Sequence, residues 1–187
     1  NPRMNDAREA GRLGESYISR TIRGYEDTSI LDLARELNTQ GGAHNVLLFG
    51  PTGPGKSHFV LAYGSRNRVP VAVVSANGAA DPKVWFGKWI PQPDGTLKWK
   101  DGIVTTVVRA GGVLFIDEIN FLRPDIASAL YPVLRERTLV LEDKDDEIVR
   151  AGEGFVVVAA YNPNYAGTRE LNAALKNRFS VKLPWGY

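Results

Sequence analysis

Eight consecutive residues carry the pattern with the most specific chemistry, Gly50-Pro51-Thr52-Gly53-Pro54-Gly55-Lys56-Ser57. They fit the phosphate-binding pattern G-x-x-x-x-G-K-S/T, in which a glycine-rich turn points several backbone N–H groups at one anion. The ammonium of Lys56 would contact the β- and γ-phosphates of a nucleotide, and the hydroxyl of Ser57 would coordinate Mg²⁺. His58 follows directly and is included among the predicted nucleotide contacts.

Two adjacent carboxylates, Asp117 and Glu118, end an apolar run at residues 113–116. Ligands collect at the carboxyl ends of parallel strands, so we expect both side chains to lie near the phosphate-binding loop. Asp117 would hold Mg²⁺ through its water shell together with Ser57, and Glu118 would orient and polarise an attacking water. The alternative is that the pair only caps the next helix. Because the carboxylate pair occurs together with the phosphate-binding loop, we favour the catalytic interpretation.

Two further polar residues are candidates for the same chemistry. Asn162 follows the apolar run 155–160 and could donate a hydrogen bond to the water or the γ-phosphate. It could instead form an Asx turn with Asn164. Arg178 precedes the run 179–183. It could satisfy the end of a helix, or it could reach the site of a neighbouring molecule as an arginine finger.

Alternating apolar and helical segments must position these residues. Short apolar runs separated by helices predict an α/β protein with a parallel sheet covered on both faces. The runs cover residues 46–49, 71–74, 113–116, 155–160 and 179–183. The predicted helices cover residues 56–67, 103–110, 125–135 and 170–177.

The N-terminal residues 5–39 are expected to be mainly helical, with Ser29 capping a helix through Asn38. Its apolar stripe is predicted from residues at helical spacing, namely Ile30, Leu33, Ala34 and Leu37.

Two hairpins are predicted between the runs. One has arms at 138–141 and 147–150 around an acidic turn, and the other is an insert at 85–101 that turns at Asp94-Gly95. The insert carries three tryptophans, Trp85, Trp89 and Trp99. They could grip a client polypeptide, but mutual burial is the favoured interpretation.

The composition narrows the class of protein. A chain of 187 residues is long enough for one domain with a substantial core. Its 23 Lys and Arg against 21 Asp and Glu are too balanced to indicate nucleic acid binding. The absence of cysteine excludes disulfides, thiolate metal sites and cysteine nucleophiles. No apolar run approaches the length of a membrane span, and a reducing cytoplasm is the expected location.

The order of these motifs resembles that of the AAA+ ATPases, and within them the MoxR-type branch with its CbbQ/NorQ and dynein-related relatives. The resemblance covers residues 17–187 approximately. The matching segments are the Walker A loop at 50–57, the end of Walker B at 115–118, the D-E-I-N string at 117–120, the sensor-1 segment at 160–163 and the R-F step at Arg178. Arg109 lies in an R-x-G-G run ahead of Walker B, and no catalytic role is assigned to it.

This resemblance implies a P-loop NTPase three-layer sandwich whose five-stranded parallel sheet has the order 5-1-4-3-2. It makes residues 1–187 a single large nucleotide-binding domain, with the family's helical lid absent or truncated. ATP and Mg²⁺ are the implied cofactors. The implied assembly is a homo-oligomeric ring, usually a hexamer, in which Arg178 acts on the neighbour's γ-phosphate. A von Willebrand A-type protein is an implied partner.

The expected function is Mg²⁺-dependent ATP hydrolysis by the ring, used to remodel or activate a partner protein. A nucleic-acid-linked motor or a GTP-using restriction-type relative is one alternative, which the near-neutral charge and the acidic turn at 142–147 weigh against. A nucleotide-gated assembly module with little turnover is another, which Glu118, Asn162 and Arg178 weigh against. A small-molecule kinase would need an acceptor-binding lid, and none is evident.

Overall fold

The computed structural model describes residues 3–4, 18, 21–22, 25–51, 53, 55–76, 80–163 and 170–186. The strands are β1 (Arg3–Met4), β2 (Thr21–Ile22), β3 (Tyr25–Glu26), β4 (Val46–Phe49), β5 (Val71–Ser75), β6 (Gly87–Pro91), β7 (Leu97–Asp101), β8 (Val113–Asp117), β9 (Thr138–Leu141), β10 (Glu147–Arg150), β11 (Val156–Tyr161) and β12 (Val181–Pro184). The helices are α1 (Asp27–Thr39), α2 (Lys56–Asn67), α3 (Pro82–Trp85), α4 (Ile103–Arg109), α5 (Pro124–Glu136) and α6 (Ala173–Lys176), with a 3₁₀ turn at Ile119–Phe121.

The central sheet has the strand order β1-β5-β8-β11-β4-β12. The last five strands in that order are parallel, and β1 pairs antiparallel with β5 at one edge. If the parallel strands are numbered as the five apolar runs of the sequence, they lie in the order 2-3-4-1-5. Counted from the other edge, this is the predicted order 5-1-4-3-2, which is confirmed. The short edge strand β1 was not predicted, because two residues carry no detectable periodicity.

Helices cover both faces of this sheet, because alternate strand residues point to opposite sides. On one face, Leu114 and Ile116 of β8 pack in a cluster with residues of α4 and α5. On the other face, Val113 and Phe115 pack in a cluster with residues of α1 and α2. All four strand residues are fully buried. The three-layer α/β sandwich expected from the sequence is therefore confirmed.

Helix α1 begins earlier than predicted, and its buried face is rotated. Ser29 does not cap it, because the helix starts at Asp27, whose carboxylate accepts a hydrogen bond from Thr28 N at 2.8 Å. Leu33, placed in the predicted apolar stripe, is 57% exposed. The buried stripe contains Asn38 instead, which is satisfied because its side chain binds the backbone at His44 and Phe155. Apolar spacing cannot identify a polar residue that is buried in this way.

Helix α6 is also shorter than the predicted 170–177 segment. Among residues 170–177, the helix covers Ala173–Lys176. Asn172 caps it by accepting a hydrogen bond from Ala174 N at 2.8 Å, which fixes its first turn. The other predicted helices differ from the structure by no more than a residue at either end.

The two predicted hairpins are present and lie against each other. Trp89 and Trp99 face each other across β6 and β7, with ring centroids 5.4 Å apart. The indole N–H of Trp89 donates to the backbone carbonyl of Asp143 in the other hairpin at 2.8 Å. Trp85 is only 3% exposed and belongs to the core. Trp85 is therefore buried in the domain rather than free to grip a client, while Trp89 packs on Trp99 and keeps 41% of its surface exposed.

Arg109 joins the same two hairpins. Its guanidinium forms ion pairs with Asp101 of β7 at 2.8 Å and Glu147 of β10 at 2.5 Å. This contact accounts for the arginine ahead of β8 without any catalytic role.

Candidate functional site

The phosphate-binding loop lies between β4 and α2, as the sequence predicts. Gly50 N donates to Tyr161 O at 3.2 Å, which fixes the start of the loop against the end of β11. Gly55 precedes α2 in a left-handed conformation with φ of 79°, which glycine adopts without strain. Phe59 N donates to Gly55 O at 2.9 Å and closes the first turn of the helix. The N-terminus of α2 therefore begins at Lys56, at the carboxyl end of the sheet.

Gly50 also allows the last strand to approach the loop. A Cβ at Gly50 would lie 1.8 Å from the carbonyl oxygen of Trp185. Trp185 N donates to Phe49 O at 2.7 Å, and the indole ring packs on Phe59 with centroids 4.9 Å apart. Both contacts need the backbone of Trp185 where it is, so it cannot move aside for a side chain.

We expect Gly50→Ala to destabilise the protein by about 1–3 kcal/mol, because the added methyl group overlaps backbone atoms. Thermal unfolding in the absence of nucleotide measures this. Gly186→Ala is the matched control, since a Cβ there meets no atom within 4 Å. Equal melting temperatures for the two variants would contradict the argument.

A cleft of about 480 Å³ brings most of the predicted site residues together. This volume is within the range of small-ligand pockets. The cleft is lined by Gly53, Gly55, Lys56, Ser57, Asp117, Glu118, Asn120, Phe121, Tyr161 and Asn162. The phosphate-binding loop, the end of β8 and the end of β11 thus meet at one edge of the sheet.

Five predicted nucleotide contacts fall beside or outside this set. Gly50, Pro51 and His58 adjoin the cleft, but they are not among the described residues that line it. Thr52 and Pro54, as well as Asn164 of the alternative Asx turn, lie outside the residues that the structure describes.

Lys56 lies over its own loop. Its ammonium donates hydrogen bonds to the carbonyls of Gly50 at 3.0 Å and Pro51 at 2.7 Å. Burial lowers the pKa of Lys56, and the negative charge of Asp117 opposes that shift. The ammonium is therefore a partly desolvated cation at the mouth of the loop.

Asp117 and Glu118 lie at the end of β8, with their backbones in different conformations. Asp117 accepts a hydrogen bond from Glu118 N at 3.0 Å. Burial raises the pKa of Asp117, with a smaller increase from the charge of Glu118 and an opposing effect of Lys56. Glu118 has φ of 54°, a left-handed conformation that costs a non-glycine residue about 1–2 kcal/mol. Such strain is commonly found at functional sites.

Ser75 is a contact that the sequence analysis missed. It ends β5 and is paired in register with Asp117 of β8. Its hydroxyl donates a hydrogen bond to Glu118 Oε2 at 3.3 Å, which orients the carboxylate across two strands. The available signal was a hydroxyl residue directly after the apolar run 71–74, and it becomes meaningful only once β5 and β8 are known to be neighbours.

The donor set fits a magnesium ion bound together with phosphate. Within the described part of the chain, no group of three or more His, Cys, Asp or Glu residues could hold a metal ion. Mg²⁺ usually needs only one or two protein oxygens, and waters and phosphate oxygens complete its shell. The hydroxyl of Ser57 and the carboxylate of Asp117 line the same cleft and supply such oxygens.

Arg178 lies away from this cleft. It precedes β12, which pairs in parallel register with β4 from Val181↔Val46 to Pro184↔Phe49. Arg178 is thus separated from the phosphate-binding edge by at least the length of β4, about 10 Å. Its guanidinium carbon lies 4.1 Å from the ring centroid of Tyr131, and Nη1 donates to Ala174 O. Arg178 is not among the described residues that line the cleft.

The family follows from the comparison with known domains. Residues 45–179 match the model of the AAA domain, dynein-related subfamily. The chain belongs to this subfamily. Its fold is that of the P-loop NTPases, and the resemblance to AAA+ proteins that the motifs indicated is confirmed.

Several relatives share the domain. The chain is 39% identical to the uncharacterized protein YojN of Bacillus subtilis over 73% of this chain and 46% of that protein. It is 32% identical to CbbQ of Hydrogenophilus thermoluteolus, over 73% of this chain and 51% of that protein. It is 35% identical to the denitrification regulatory protein NirQ of Pseudomonas aeruginosa, over 76% of this chain and 54% of that protein. The chain therefore spans about half the length of these relatives.

A solved structure shares the architecture. The crystal structure of a candidate ATPase from Cytophaga hutchinsonii superposes with a TM-score of 0.65 at 20% identity, covering 96% of this chain and 50% of that one. At this identity the similarity establishes the fold alone. Among the residues that the structure describes, no helix has the length and apolar character needed to cross a membrane.

Proposed function

We propose that this domain binds ATP with Mg²⁺ and hydrolyses the γ-phosphate. The observation that carries the proposal is one cleft lined by an ammonium, a hydroxyl, two carboxylates and an amide, from Lys56, Ser57, Asp117, Glu118 and Asn162. Phosphate binding, metal binding and water activation each need one part of this set.

The phosphate-binding loop would hold the triphosphate through backbone N–H groups and the N-terminus of α2. Lys56 would donate to oxygens of the β- and γ-phosphates, leaving its present contacts with two loop carbonyls. The residues proposed as phosphate contacts are Gly50, Pro51, Thr52, Gly53, Pro54, Gly55, Lys56, Ser57 and His58.

Ser57 and Asp117 would be the protein ligands of Mg²⁺. When bound, the ion neutralises charge on the phosphate oxygens. Asp117 would ligate through a coordinated water or directly, and the N–H of Glu118 holds its carboxylate in place at 3.0 Å.

Hydrolysis would proceed by attack of one water on the γ-phosphorus. The carboxylate of Glu118 accepts a proton from that water as the new P–O bond forms. The bond between the γ-phosphorus and the β,γ-bridging oxygen breaks, and its electrons stay on that oxygen of ADP. The amide of Asn162 donates a hydrogen bond to the γ-phosphate or accepts one from the water. The hydroxyl of Ser75 keeps the base in position.

The ring assembly belongs to the same proposal. Arg178 lies at the sheet edge opposite the cleft, so it would complete a site only on a neighbouring subunit. Homo-oligomerisation, usually into a hexamer, is characteristic of the family. We further propose that the domain remodels or activates a partner protein in the cytoplasm. A von Willebrand A-type protein is the partner that the resemblance to MoxR-type ATPases implies.

One experiment separates this function from the alternatives. The protein is fractionated by size with and without ATP, and phosphate release is measured on each species with ATP and with GTP. Turnover that rises with assembly supports the proposal. A preference for GTP, or a salt-sensitive stimulation by DNA, would favour the motor and restriction-type alternatives. Nucleotide-dependent assembly with negligible turnover would favour a gated assembly module.

We expect Lys56→Ala to weaken ATP binding about 10- to 150-fold, because it removes hydrogen bonds to a charged phosphate. Titration calorimetry with a non-hydrolysable ATP analogue measures the dissociation constant. Lys98→Ala is the matched control, since Lys98 is an exposed residue on β7 of the insert hairpin. Unchanged affinity in Lys56→Ala would contradict the assignment of the loop.

A further inference from the structure

Asn120 is a buried polar residue inside the proposed nucleotide cleft. It lies in the 3₁₀ turn that follows Glu118, is 9% exposed, and lines the cleft. Its amide nitrogen Nδ2 is buried and has no hydrogen-bond partner. In the described part of the chain, only one other buried side-chain atom shares this property, Nε of Arg178.

The turn that carries Asn120 is firmly held. Phe121 N donates to Glu118 O at 2.9 Å, and Leu122 N donates to Ile119 O at 3.2 Å. Ile119 is 1% exposed and packs in the core cluster with α4 and α5. The backbone of Asn120 is therefore held between Glu118 and the core, and its side chain lines the cleft.

A buried donor without a partner is unfavourable, and natural proteins keep very few. The other buried asparagines of the described chain are satisfied. Asn45, which is 3% exposed, donates to Leu134 O at 2.9 Å and accepts from Val157 N at 3.2 Å. The unsatisfied donor of Asn120 thus points to a group that is bound in the cleft and supplies an acceptor.

We propose that the side-chain amide of Asn120 donates a hydrogen bond to an oxygen of the terminal phosphate of the bound nucleotide. Among its neighbours in the cleft, Asp117 and Glu118 are assigned to the metal and the water, and Lys56 is itself a donor. Phosphate oxygens are acceptors, and in the proposed complex they would lie between these groups. This inference rests on the proposed function and adds a residue that distinguishes triphosphate from diphosphate.

The binding test compares two nucleotides in the same variant. Asn120→Leu has nearly the same shape and lacks the donor. Its dissociation constant for a non-hydrolysable ATP analogue should rise about tenfold or more, and that for ADP should change by less than about twofold. Asn120→Ala should show the same pattern. Equal effects on the two nucleotides, or no effect on either, would overturn the inference.

The stability test separates a nucleotide contact from a structural role. Without nucleotide, Asn120→Leu should melt at the wild-type temperature or above it, because the substitution removes an unsatisfied buried donor. Asn45→Leu is the matched control and should melt lower, because it removes a satisfied asparagine and leaves its backbone partners unpaired. A fall in Asn120→Leu comparable to that of Asn45→Leu would indicate a structural residue and overturn the inference.

The wild-type protein distinguishes failure of the inference from failure of the proposed function. If it binds neither the analogue nor ADP, the proposed function is wrong and the inference is wrong with it. If it binds both, and Asn120→Leu discriminates between them as the wild type does, only the assignment of Asn120 is wrong.

Discussion

The Glu118→Gln variant is expected to bind ATP about as tightly as the wild type and to hydrolyse it roughly 10²–10⁴-fold more slowly. Glutamine has the size of glutamate and can still accept the hydrogen bond that Ser75 donates, so the geometry of the cleft is kept. Its amide cannot accept the proton of the attacking water. The variant therefore separates binding from chemistry.

Phosphate release and analogue binding are measured on the same preparation of this variant. Its assemblies should retain ATP rather than ADP, which quantitative extraction of the bound nucleotide reports. Glu142→Gln is the control, because Glu142 is an exposed carboxylate in the β9–β10 hairpin and should leave turnover unchanged. Hydrolysis by Glu118→Gln at the wild-type rate would mean that another group activates the water.

Four features of the cleft are unfavourable in the protein without a ligand. Burial disfavours the charged forms of Lys56 and Asp117, Glu118 has a left-handed backbone, and the amide of Asn120 has no partner. Elsewhere in the core, polar groups such as Asn38 and Asn45 are satisfied. Several unfavourable features close together are expected where residues have been selected for function rather than for stability. A bound triphosphate with its cation, as proposed, would supply the missing acceptor and the opposite charges.

The strands and the main helices could be predicted because their signals are local. Fully apolar runs such as that of β8 and the complete loop pattern before α2 are readable from a few residues. The strand order required the resemblance to a family, since spacing alone does not determine which strands are neighbours. The start of α1 at Asp27 and the place of Asn38 in its buried stripe were missed, because both are buried polar residues, which apolar periodicity does not detect.

The residues of the candidate site also fall into those with a local sequence signal and those without one. Lys56, Ser57, Asp117 and Glu118 belong to continuous motifs, so the sequence alone predicted them as site residues, and they line one cleft. Ser75 meets Glu118 only because β5 and β8 are adjacent strands. That contact depends on the sheet, and no local pattern could have revealed it. The sequence likewise could not predict that Trp85 of the insert is buried and Trp89 is partly exposed, because this difference depends on packing.

The Arg178→Ala variant should bind ATP as tightly as the wild type, and its assemblies should hydrolyse ATP about 10³–10⁵-fold more slowly. Arg178 precedes β12, at the sheet edge opposite the cleft, so under the proposed ring the loss would arise at the interface with a neighbouring subunit. Arg150→Ala is the control, because Arg150 is an exposed arginine on β10. Turnover is measured at protein concentrations below and above assembly.

Mixing two inactive variants tests the contact between subunits directly. Lys56→Ala keeps Arg178 but binds ATP poorly, whereas Arg178→Ala keeps an intact cleft. In a mixed assembly, Arg178 of the first variant can complete the cleft of the second, so turnover should recover to a sizeable part of the wild-type value. Recovery requires the guanidinium of Arg178, now 4.1 Å from the ring centroid of Tyr131, to reach the neighbour's phosphate. If the mixture stays inactive while mass measurements show mixed assemblies, Arg178 acts only within its own subunit as the helix-terminal residue that bonds Ala174.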